Sequence, residues 1–424
     1  ILERCSHVLK NGKIIPITTT DRKKFEDEIL DMSSHALRVL ACAMHLDTTT
    51  LSESNLTFIG LVGMIDPARP EAIQSVEQFR HASVKTVMIT GDHKETAFAI
   101  AKDLGIASNP LECITGQELD QLSDDQFYQK LPSLTVFARV SPEHKVRIVK
   151  GFQSLSNVVA MTGDGVNDAP SLKAADIGIA MGKTGTDVAK NASDMILTDD
   201  NFSTIERAIE EGRCIYENIR KSVLFLLSSN FGEIITMFAA ILLGLASPLK
   251  SSHILWINLI TDSLPALALG VDQNNVSHLM SKPPRSPKEG LFSNGGINCT
   301  IFYGVLIACI SLCAFLKLPF HYLHANQLPI TLENIQLALS IPELLARAQT
   351  YSFTVLGLCQ LFHAVGMRDT ETSILAMNPL SNPLMIISWI VGFSLQFLVT
   401  EIPYFVSIFG TARLTFGEWA ELLF

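Results

Sequence analysis

Residues 223–249 form an apolar stretch with a single ionised side chain, Glu233, and are long enough to cross a lipid bilayer as a helix. Further apolar segments follow at about 254–271, 297–316, 350–367 and 384–399, and the final "FGEWAELLF" has the pattern of another segment that begins there. Residues before about 221 carry mixed charge instead. The pattern predicts a soluble part followed by an all-α transmembrane helix bundle with five spans and the start of a sixth, in a multi-pass integral membrane protein.

Charge and cysteine usage narrow the class of protein. The net charge of −10 and the lack of a basic run give no support for nucleic-acid binding. The eight cysteines form no CxxC pair, so we expect reduced thiols. The opening Ile-Leu-Glu-Arg-Cys lacks an initiator methionine and the pattern of a signal peptide, and we expect a piece of a longer chain. The basic loop "SKPPRSPK" predicts that the soluble part lies on the cytoplasmic side.

Strand and helix signals alternate through the soluble part. Four segments run from an apolar stretch through turn residues into a helical pattern: NLTFIGLVGMIDPARPEAIQSVEQF, VKTVMITGDHKETAFAIAKDLGI, LTVFARVSPEHKVRIVKGFQ and MTGDGVNDAPSLKAADIGIAMG. Asp92 and Glu95 have capping-box spacing, and Ser141 precedes a proline as a helix cap. Shorter apolar runs at 177–181 and 195–197 predict further strands. The alternation favours an α/β doubly wound parallel sheet.

Polar residues follow the predicted strands at their carboxyl ends, where such sheets bind ligands. They are Asp66, the run Thr90-Gly91-Asp92, and the pair Asp164 and Asp168. Backbone amides at the helix starts suit a phosphate, carboxylates beside them suit Mg²⁺, and Lys145 can place a positive charge on a phosphoryl group. Any single aspartate there can be a helix cap, and a lone lysine can be solvated. The whole set favours a magnesium–phosphate site.

Polar groups also occur inside the apolar segments, where burial is costly and a functional role is the default hypothesis. Five of them fall on two successive segments: Asn230, Glu233, Asn258, Thr261 and Asp262. Pro265 has no N–H, so it frees the Thr261 carbonyl to coordinate an ion. Hard oxygen donors with two carboxylates predict a hard cation rather than a soft metal. Asn230 or Asn258 alone can equally hold helices together.

The stretch "MGKTGTD" at 181–187 resembles a phosphate-binding loop but does not qualify. A P-loop requires glycine five positions before Gly182, and Ile177 stands there. The same stretch approximates Asp-Lys-Thr-Gly-Thr, with Gly182 in the place of the aspartate. Neither comparison supplies a nucleophile.

The motifs together resemble those of P-type ATPases. "MTGDGVNDAPSLKAADIGIAMG" is similar to their hinge signature, and "MIDPARP", "MITGDH" and "ARVSPEHK" match further motifs in order and spacing. "SSNFGEII" and "LWINLITDSLPALALG" resemble the fifth and sixth membrane helices of the sarco/endoplasmic-reticulum-type (type IIA) calcium pumps. The resemblance implies a haloacid-dehalogenase-type phosphorylation domain, use of ATP and Mg²⁺, and Ca²⁺ transport through an aspartyl phosphate, with the cell membrane as the location.

The resemblance also implies roles for individual residues. Asp164 would bind Mg²⁺, with Asn167 and Asp168 organising the site; Lys145 would contact the phosphoryl group, and Thr90, Gly91 and Asp92 would line the phosphate end. Arg38, Asp66 and Arg139 would serve the nucleotide. The cation ligands would be Asn230, Glu233, Asn258, Thr261 and Asp262. The implied domains are a nucleotide-domain remnant at 1–60, the phosphorylation domain at 61–215 and the transmembrane domain at 216–424, with the fifth to ninth helices and the start of the tenth.

The sequence departs from the family pattern in ways that affect function. The phosphorylated aspartate of Asp-Lys-Thr-Gly-Thr does not occur in it, nor do an actuator domain and the first four membrane helices. We therefore expect this chain alone to be inactive, the rest of the pump being its partner. Gln360 and His363 stand where animal calcium pumps carry Glu and Asn, which makes one ion per cycle possible. His363 is either a countercharge or simply packed.

Other functions remain open at this point. A pump for Na⁺/K⁺ or Mn²⁺ is compatible with Asn, Glu and Asp ligands. A membrane-attached phosphatase would need its own Asp-x-Asp nucleophile after a strand, and none is suitably placed upstream. A truncated product that acts as a non-catalytic membrane or regulatory protein is the alternative from a different class.

Overall fold

The computed structural model describes residues 1–35, 37–45, 53–65, 68–369 and 377–423. It divides into two compact units, one of residues 1–209 with 280–287, the other of 210–279 with 288–424. Asp66, one of the predicted nucleotide-site residues, lies outside the described residues.

The described residues of the first unit form ten strands in three sheets. A four-stranded sheet has the order β2-β1-β4-β3, and two three-stranded parallel sheets have the orders β5-β7-β6 and β8-β9-β10. The strands are β1 Cys5–Lys10, β2 Lys13–Pro16, β3 Arg38–Met44, β4 Leu56–Met64, β5 Met88–Ile89, β6 Cys113–Thr115, β7 Val136–Ala138, β8 Ala160–Gly163, β9 Ile177–Met181 and β10 Met195–Leu197.

Eight α-helices in the described part of the chain accompany these strands. They are α1 Thr19–Ser34, α2 Pro70–His81, α3 Lys94–Asp103, α4 Gly116–Asp120, α5 Asp124–Lys130, α6 Pro142–Ser154, α7 Ala169–Ala174 and α8 Asp187–Ala192. Helix α6 begins as predicted, because the Ser141 side chain accepts a hydrogen bond from the His144 amide and Pro142 occupies the first turn. Its apolar face buries Ile148 against Phe127 and Phe137.

Two sequence-based expectations about this unit need correction. The run before Asp66 belongs to β4, which pairs antiparallel with β3 and parallel with β1, and so lies in the mixed sheet. The expected single doubly wound sheet is instead two separate parallel sheets, since β5 and β8 are edge strands and share no partner among the described residues. The predicted strands at 177–181 and 195–197 are confirmed as β9 and β10.

The remaining helices begin with α9, which runs from Ser203 to Leu242. They continue as α10 Ser251–Trp256, α11 Ser263–Gly270, α12 Val276–Ser281, α13 Gly296–Ala325, α14 Leu332–Leu339, α15 Pro342–Gly366, α16 Pro383–Glu401, α17 Pro403–Phe409 and α18 Phe416–Leu423. The helices α9, α13 and α16 are long and apolar enough to cross a membrane, by length and composition. They confirm a helical, membrane-spanning part.

The structure changes the extent of three predicted segments. The first apolar helix ends at Leu242, and Gly244 adopts a left-handed conformation with φ of +61°. The segment 254–271 is not continuous: α10 and α11 flank a π-helical turn, Ile257–Thr261. The segment 350–367 lies in α15, whose most apolar stretch has a lower mean hydropathy than those of α9, α13 and α16 because it carries the buried polar side chains Gln349, Gln360 and His363.

Candidate functional site

The turn after β8 is organised by the Asp168 carboxylate. Its Oδ2 accepts hydrogen bonds from the backbone amides of Asp164 and Gly165, both at 3.2 Å. Its Oδ1 lies 2.5 Å from Nζ of Lys145, which α6 supplies. Asp168 is buried, and Gly163 packs so closely that a Cβ there would lie 2.5 Å from the Asp168 Cβ. The sequence "TGDGVND" thus folds into a turn around one buried, paired carboxylate.

The charge of Asp168 is maintained by these contacts. Burial raises the pKa of Asp168, but the hydrogen bond and charge of Lys145 and the amides of Gly165 and Asp164 outweigh it, so the pKa lies below its ordinary value. Asp168 is therefore ionised at neutral pH and holds Lys145 in a fixed position. A lysine that contacts a phosphoryl group needs a fixed position of this kind.

Asp164 and Asn167 differ from Asp168, because both are exposed. No donor in the described part of the chain reaches the Asp164 carboxylate. A free carboxylate with an exposed amide beside it offers the hard oxygen atoms that Mg²⁺ prefers. The residues of this turn therefore fit a magnesium ion, which would supply positive charge to phosphate oxygens when bound.

The turn after β5 has a different hydrogen-bond pattern from the predicted one. Helix α3 begins at Lys94 after His93, and no side chain caps it. The Asp92 carboxylate instead accepts a hydrogen bond from the Thr90 hydroxyl at 3.1 Å and pairs with the Arg38 guanidinium at 2.5 Å. The expected Asp92–Glu95 capping box is therefore wrong, because Asp92 precedes the helix by two residues and has closer partners.

Arg139 lies beside this turn. Its backbone amide donates to the Asp92 carbonyl oxygen at 3.1 Å, and its guanidinium contacts the His93 ring. Its φ of +51° is the left-handed conformation, which redirects the chain between β7 and α6. The structure thus brings together Arg38, Asp92 and Arg139, at the carboxyl ends of β5 and β7.

The predicted phosphate-site residues therefore form two groups, one around Asp168 and one around Asp92. Ile89 of β5 packs against the core cluster that contains Met161 of β8, which places the two strands in one apolar core. Among the described residues no hydrogen bond joins the two groups.

The stretch "MGKTGTD" has a partner within the chain. The Asp200 carboxylate accepts hydrogen bonds from the amides of Gly182, Lys183 and Thr184, at 2.6, 2.9 and 2.8 Å. These amides, led by that of Lys183, lower the pKa of Asp200 to about 2. The loop amides that a phosphate would need are thus directed at an aspartate.

The second candidate site lies among the membrane helices and centres on Glu233 of α9. Its Oε1 accepts a hydrogen bond from Gln360 of α15 at 3.1 Å, and its Oε2 accepts one from Asn258 of the π-helical turn at 3.2 Å. Glu233 is 5% exposed and Gln360 is fully buried. Three elements that are distant in sequence therefore converge on one carboxylate.

Asp262 follows the π-helical turn and has no such partners. It is 1% exposed, and neither carboxylate oxygen has a donor in the described part of the chain. Its amide bonds to the Ile257 carbonyl at 3.0 Å, which is the wider π-type spacing. A buried carboxylate without donors is costly unless a proton or a cation neutralises it. The carboxylate and amide oxygen atoms of this site fit a hard cation as the transported ion.

Comparison with known proteins places the chain in a family. A family described as "Cation transporting ATPase, C-terminus" matches residues 246–424, one described as "P-type ATPase, cytoplasmic domain N" matches 1–71, and one described as "haloacid dehalogenase-like hydrolase" matches 147–209. The whole chain is 50% identical to "Calcium-transporting ATPase 1" of Bacillus cereus. The chain belongs to the P-type cation-transporting ATPases.

Other P-type ATPase relatives are similar over the same extent. "Calcium-transporting ATPase" of Bacillus subtilis is 43% identical over 99% of the chain, and "Endoplasmic reticulum calcium ATPase srcA" of Aspergillus fumigatus is 35% identical over all of it. The chain spans about half the length of these relatives, namely 48%, 45% and 46% of the Bacillus cereus, Bacillus subtilis and Aspergillus proteins. The described residues of the chain include a haloacid-dehalogenase-type part and a helical membrane part, as in the P-type ATPase family.

Two residues that the sequence singled out in this P-type ATPase have local partners. Asn230 is half-buried and donates to the Leu226 carbonyl of its own helix at 2.8 Å. His363 lies 2.6 Å from the Ser228 hydroxyl and packs on Tyr303, with ring centroids 4.4 Å apart. His363 is therefore packed in a polar contact between α9 and α15.

Sequence reasoning missed two polar features of the P-type ATPase membrane part. Gln396 of α16 is 1% exposed, and its carbonyl oxygen has no donor among the described residues. Arg368 and Asp272 form a buried ion pair at 3.1 Å, to which Asn382 donates at 2.8 Å. The rule that flagged Glu233, a polar residue within an apolar segment, would have found Gln396 as well.

Proposed function

We propose that this chain is part of an ATP-driven pump that exports Ca²⁺ through an aspartyl-phosphate intermediate. The observation that carries the proposal is the Asp262 carboxylate, which is buried beside a helix break, next to Thr261, and has no donor among the described residues. A buried ionisable residue inside a membrane bundle indicates a functional site, and its hard oxygen atoms favour a cation as the ligand. The proposed ligands are Asn230, Glu233, Asn258, Thr261 and Asp262.

Phosphoryl transfer is proposed for the turn after β8. Asp164 and Asn167 would hold Mg²⁺, while Asp168 fixes Lys145 so that its ammonium group neutralises charge on the phosphoryl group. Thr90, Gly91 and Asp92 would line the phosphate end. No Asp-Lys-Thr-Gly-Thr occurs in the 424 residues, so the proposal places the phosphorylated aspartate outside them.

Nucleotide binding is proposed for the basic residues near Asp92. Arg38 and Arg139 carry exposed guanidinium groups next to this turn, and a guanidinium matches phosphate geometry with two parallel donors. Arg38 would exchange its contact with Asp92 for the phosphates of ATP. Asp66 would act near the hinge between the nucleotide and phosphorylation parts.

Two observations favour Ca²⁺ as the transported ion. The oxygen atoms of carboxylates, amides and carbonyls suit a hard cation, and Ca²⁺ accepts an irregular set of them more readily than Mg²⁺ does. The relatives at 50% and 43% identity bear the name calcium-transporting ATPase. The proposed setting is a cell membrane with the phosphorylation part in the cytoplasm.

Phosphorylation of the protein that the complete gene encodes would test this proposal. In membrane vesicles with ATP, we expect an acid-stable phosphoenzyme that depends on Ca²⁺ and not on Mn²⁺, Na⁺ or K⁺. Asp262→Asn should abolish that Ca²⁺ dependence, and Asp125→Asn, an exposed acid on α5, serves as the matched control. Phosphorylation of Asp262→Asn at unchanged Ca²⁺ affinity would refute the cation-site assignment.

A further inference from the structure

Gln396 has an unusual hydrogen-bonding state for a buried glutamine. It lies in α16, 1% exposed, and its Oε1 has no donor in the described part of the chain. Its Nε2 has a partner, since it donates to the Thr354 hydroxyl of α15 at 3.4 Å. A glutamine that only held two helices together would be expected to satisfy its carbonyl oxygen too.

The unpaired oxygen is directed at a notch in α15. Gly357 has no side chain, and the position that a Cβ would occupy there lies 3.4 Å from Gln396 Oε1 and 3.8 Å from Cγ2 of Thr261. Gln396 and Thr261 are thus both within 4 Å of one point between α15, α16 and the π-helical turn. The glycine leaves this space open.

Further oxygen atoms without donors belong to the same bundle. Asp262 follows Thr261 directly and contributes two of them, and the Oε1 of Gln360, one helical turn after Gly357, is another. Each is buried. Unpaired acceptors, with no donor among the described residues, make a set that only a cation or water could satisfy together.

We propose that Gln396 is a carbonyl-oxygen ligand of the transported divalent cation, together with Asp262. The inference rests on the proposed function and extends the cation site to a helix that supplied none of the predicted ligands. Glutamine carbonyl oxygen is a regular ligand of Ca²⁺, and it adds an oxygen without adding charge. Gln396 therefore tunes affinity and cation choice where Asp262 supplies the charge.

Direct binding of radioactive Ca²⁺ to the purified full-length protein in detergent tests the proposal without relying on phosphorylation. We expect Gln396→Leu to weaken Ca²⁺ binding about tenfold or more, within the range found when groups that support a metal site are removed. Gln349→Leu is the matched control. Gln349 is buried like Gln396, but it lies in α15 and its side chain donates a hydrogen bond to the Ser247 carbonyl at 2.8 Å. The Gln349→Leu variant should bind Ca²⁺ like the unmodified protein.

A second variant tests the role of Gln396 independently if Gln396→Leu does not fold. Gly357→Ala adds a methyl group at ordinary contact distances, so the fold should tolerate it, but the methyl occupies the space between Gln396 and Thr261. We expect it to weaken Ca²⁺ binding as well. Normal Ca²⁺ affinity in folded Gln396→Leu, or in Gly357→Ala, would overturn the role of Gln396.

Asp262→Asn distinguishes a failure of the Gln396 proposal from a failure of the proposed function. If Asp262→Asn loses Ca²⁺ binding while Gln396→Leu keeps it, the extension to Gln396 fails and the proposed function stands. If the unmodified protein shows no saturable Ca²⁺ binding, or if Asp262→Asn binds normally, the proposed cation site fails together with this extension.

Discussion

The ammonium nitrogen of Lys145 lies 2.5 Å from Oδ1 of Asp168, while the other oxygen of the same carboxylate accepts the amides of Asp164 and Gly165. One buried side chain therefore fixes both the lysine and the turn that presents Asp164. The positions of Lys145 and of the turn that carries Asp164 depend on this single carboxylate.

Removing the lysine should loosen the turn. Lys145→Met leaves Asp168 buried with two amide donors and no cation, and we expect a loss of about 1–3 kcal/mol in the free energy of unfolding, as for a buried group deprived of a partner. Hydrogen exchange of the Asp164 and Gly165 amides should become faster. Lys150→Met, an exposed lysine on the same helix, is the control and should change neither quantity. Equal exchange in both variants would contradict the role of the pair.

Stability should depend on pH through Asp168 in a defined direction. The pKa of Asp168 in the folded protein is below its ordinary value, so its contribution is present above the unfolded pKa and is lost as pH falls through the folded pKa. The difference in unfolding temperature between the unmodified protein and Asp168→Asn should be constant near neutral pH and shrink below about pH 4. A difference that grows on acidification would contradict this assignment.

Gly163 and Gly91 should respond differently to alanine. A Cβ at Gly163 would lie 2.5 Å from the Asp168 Cβ, whereas a Cβ at Gly91 would meet no atom within 4 Å. Gly163→Ala should cost about 1–3 kcal/mol, as overpacking does, and Gly91→Ala should be close to neutral. Thermal unfolding of the two variants compares them directly, and equal destabilisation would show that the packing around Asp168 is not the cause.

Asp262 should reduce the free energy of unfolding when the proposed cation is absent. Asp262→Asn removes a buried acid whose ionised form has no donor among the described residues, so the variant should unfold at a higher temperature than the unmodified protein in a Ca²⁺ chelator. Added Ca²⁺ at one hundred times its dissociation constant should stabilise only the unmodified protein, by about 2.7 kcal/mol. Thermal unfolding in detergent measures both effects. Stabilisation of Asp262→Asn by Ca²⁺ to the same extent would count against the site.

The Asp272–Arg368 pair should be important for the stability of the membrane part. Arg368→Met leaves Asp272 buried and should cost about 3–5 kcal/mol, while replacing both residues by apolar side chains should recover much of the loss. Lys317→Met breaks the exposed Lys317–Glu421 pair and should cost no more than about 1 kcal/mol. Denaturation of the purified protein ranks the three, and a double variant as unstable as Arg368→Met would contradict the argument.

Several elements could be predicted from the sequence because their causes are local. Ser141 caps α6 as expected, since a hydroxyl before a proline satisfies an amide three residues later. The short strands β9 and β10 follow from compact apolar runs. The capping box at Asp92 was wrong because a distant residue, Arg38, competes for the same carboxylate, 54 positions away.

The sequence by itself determined local features, namely the start of α6, the strands β9 and β10 and the approximate positions of the apolar segments, because side-chain periodicity and turn chemistry act over a few residues. Only the tertiary structure decided which groups meet: Gln360 reaches Glu233 across 127 positions, Lys145 reaches Asp168, and the oxygens of Asp262 and Gln396 have no donor among the described residues. Such contacts depend on how separate elements pack. Local pattern carries no information on the distance between residues far apart in the chain.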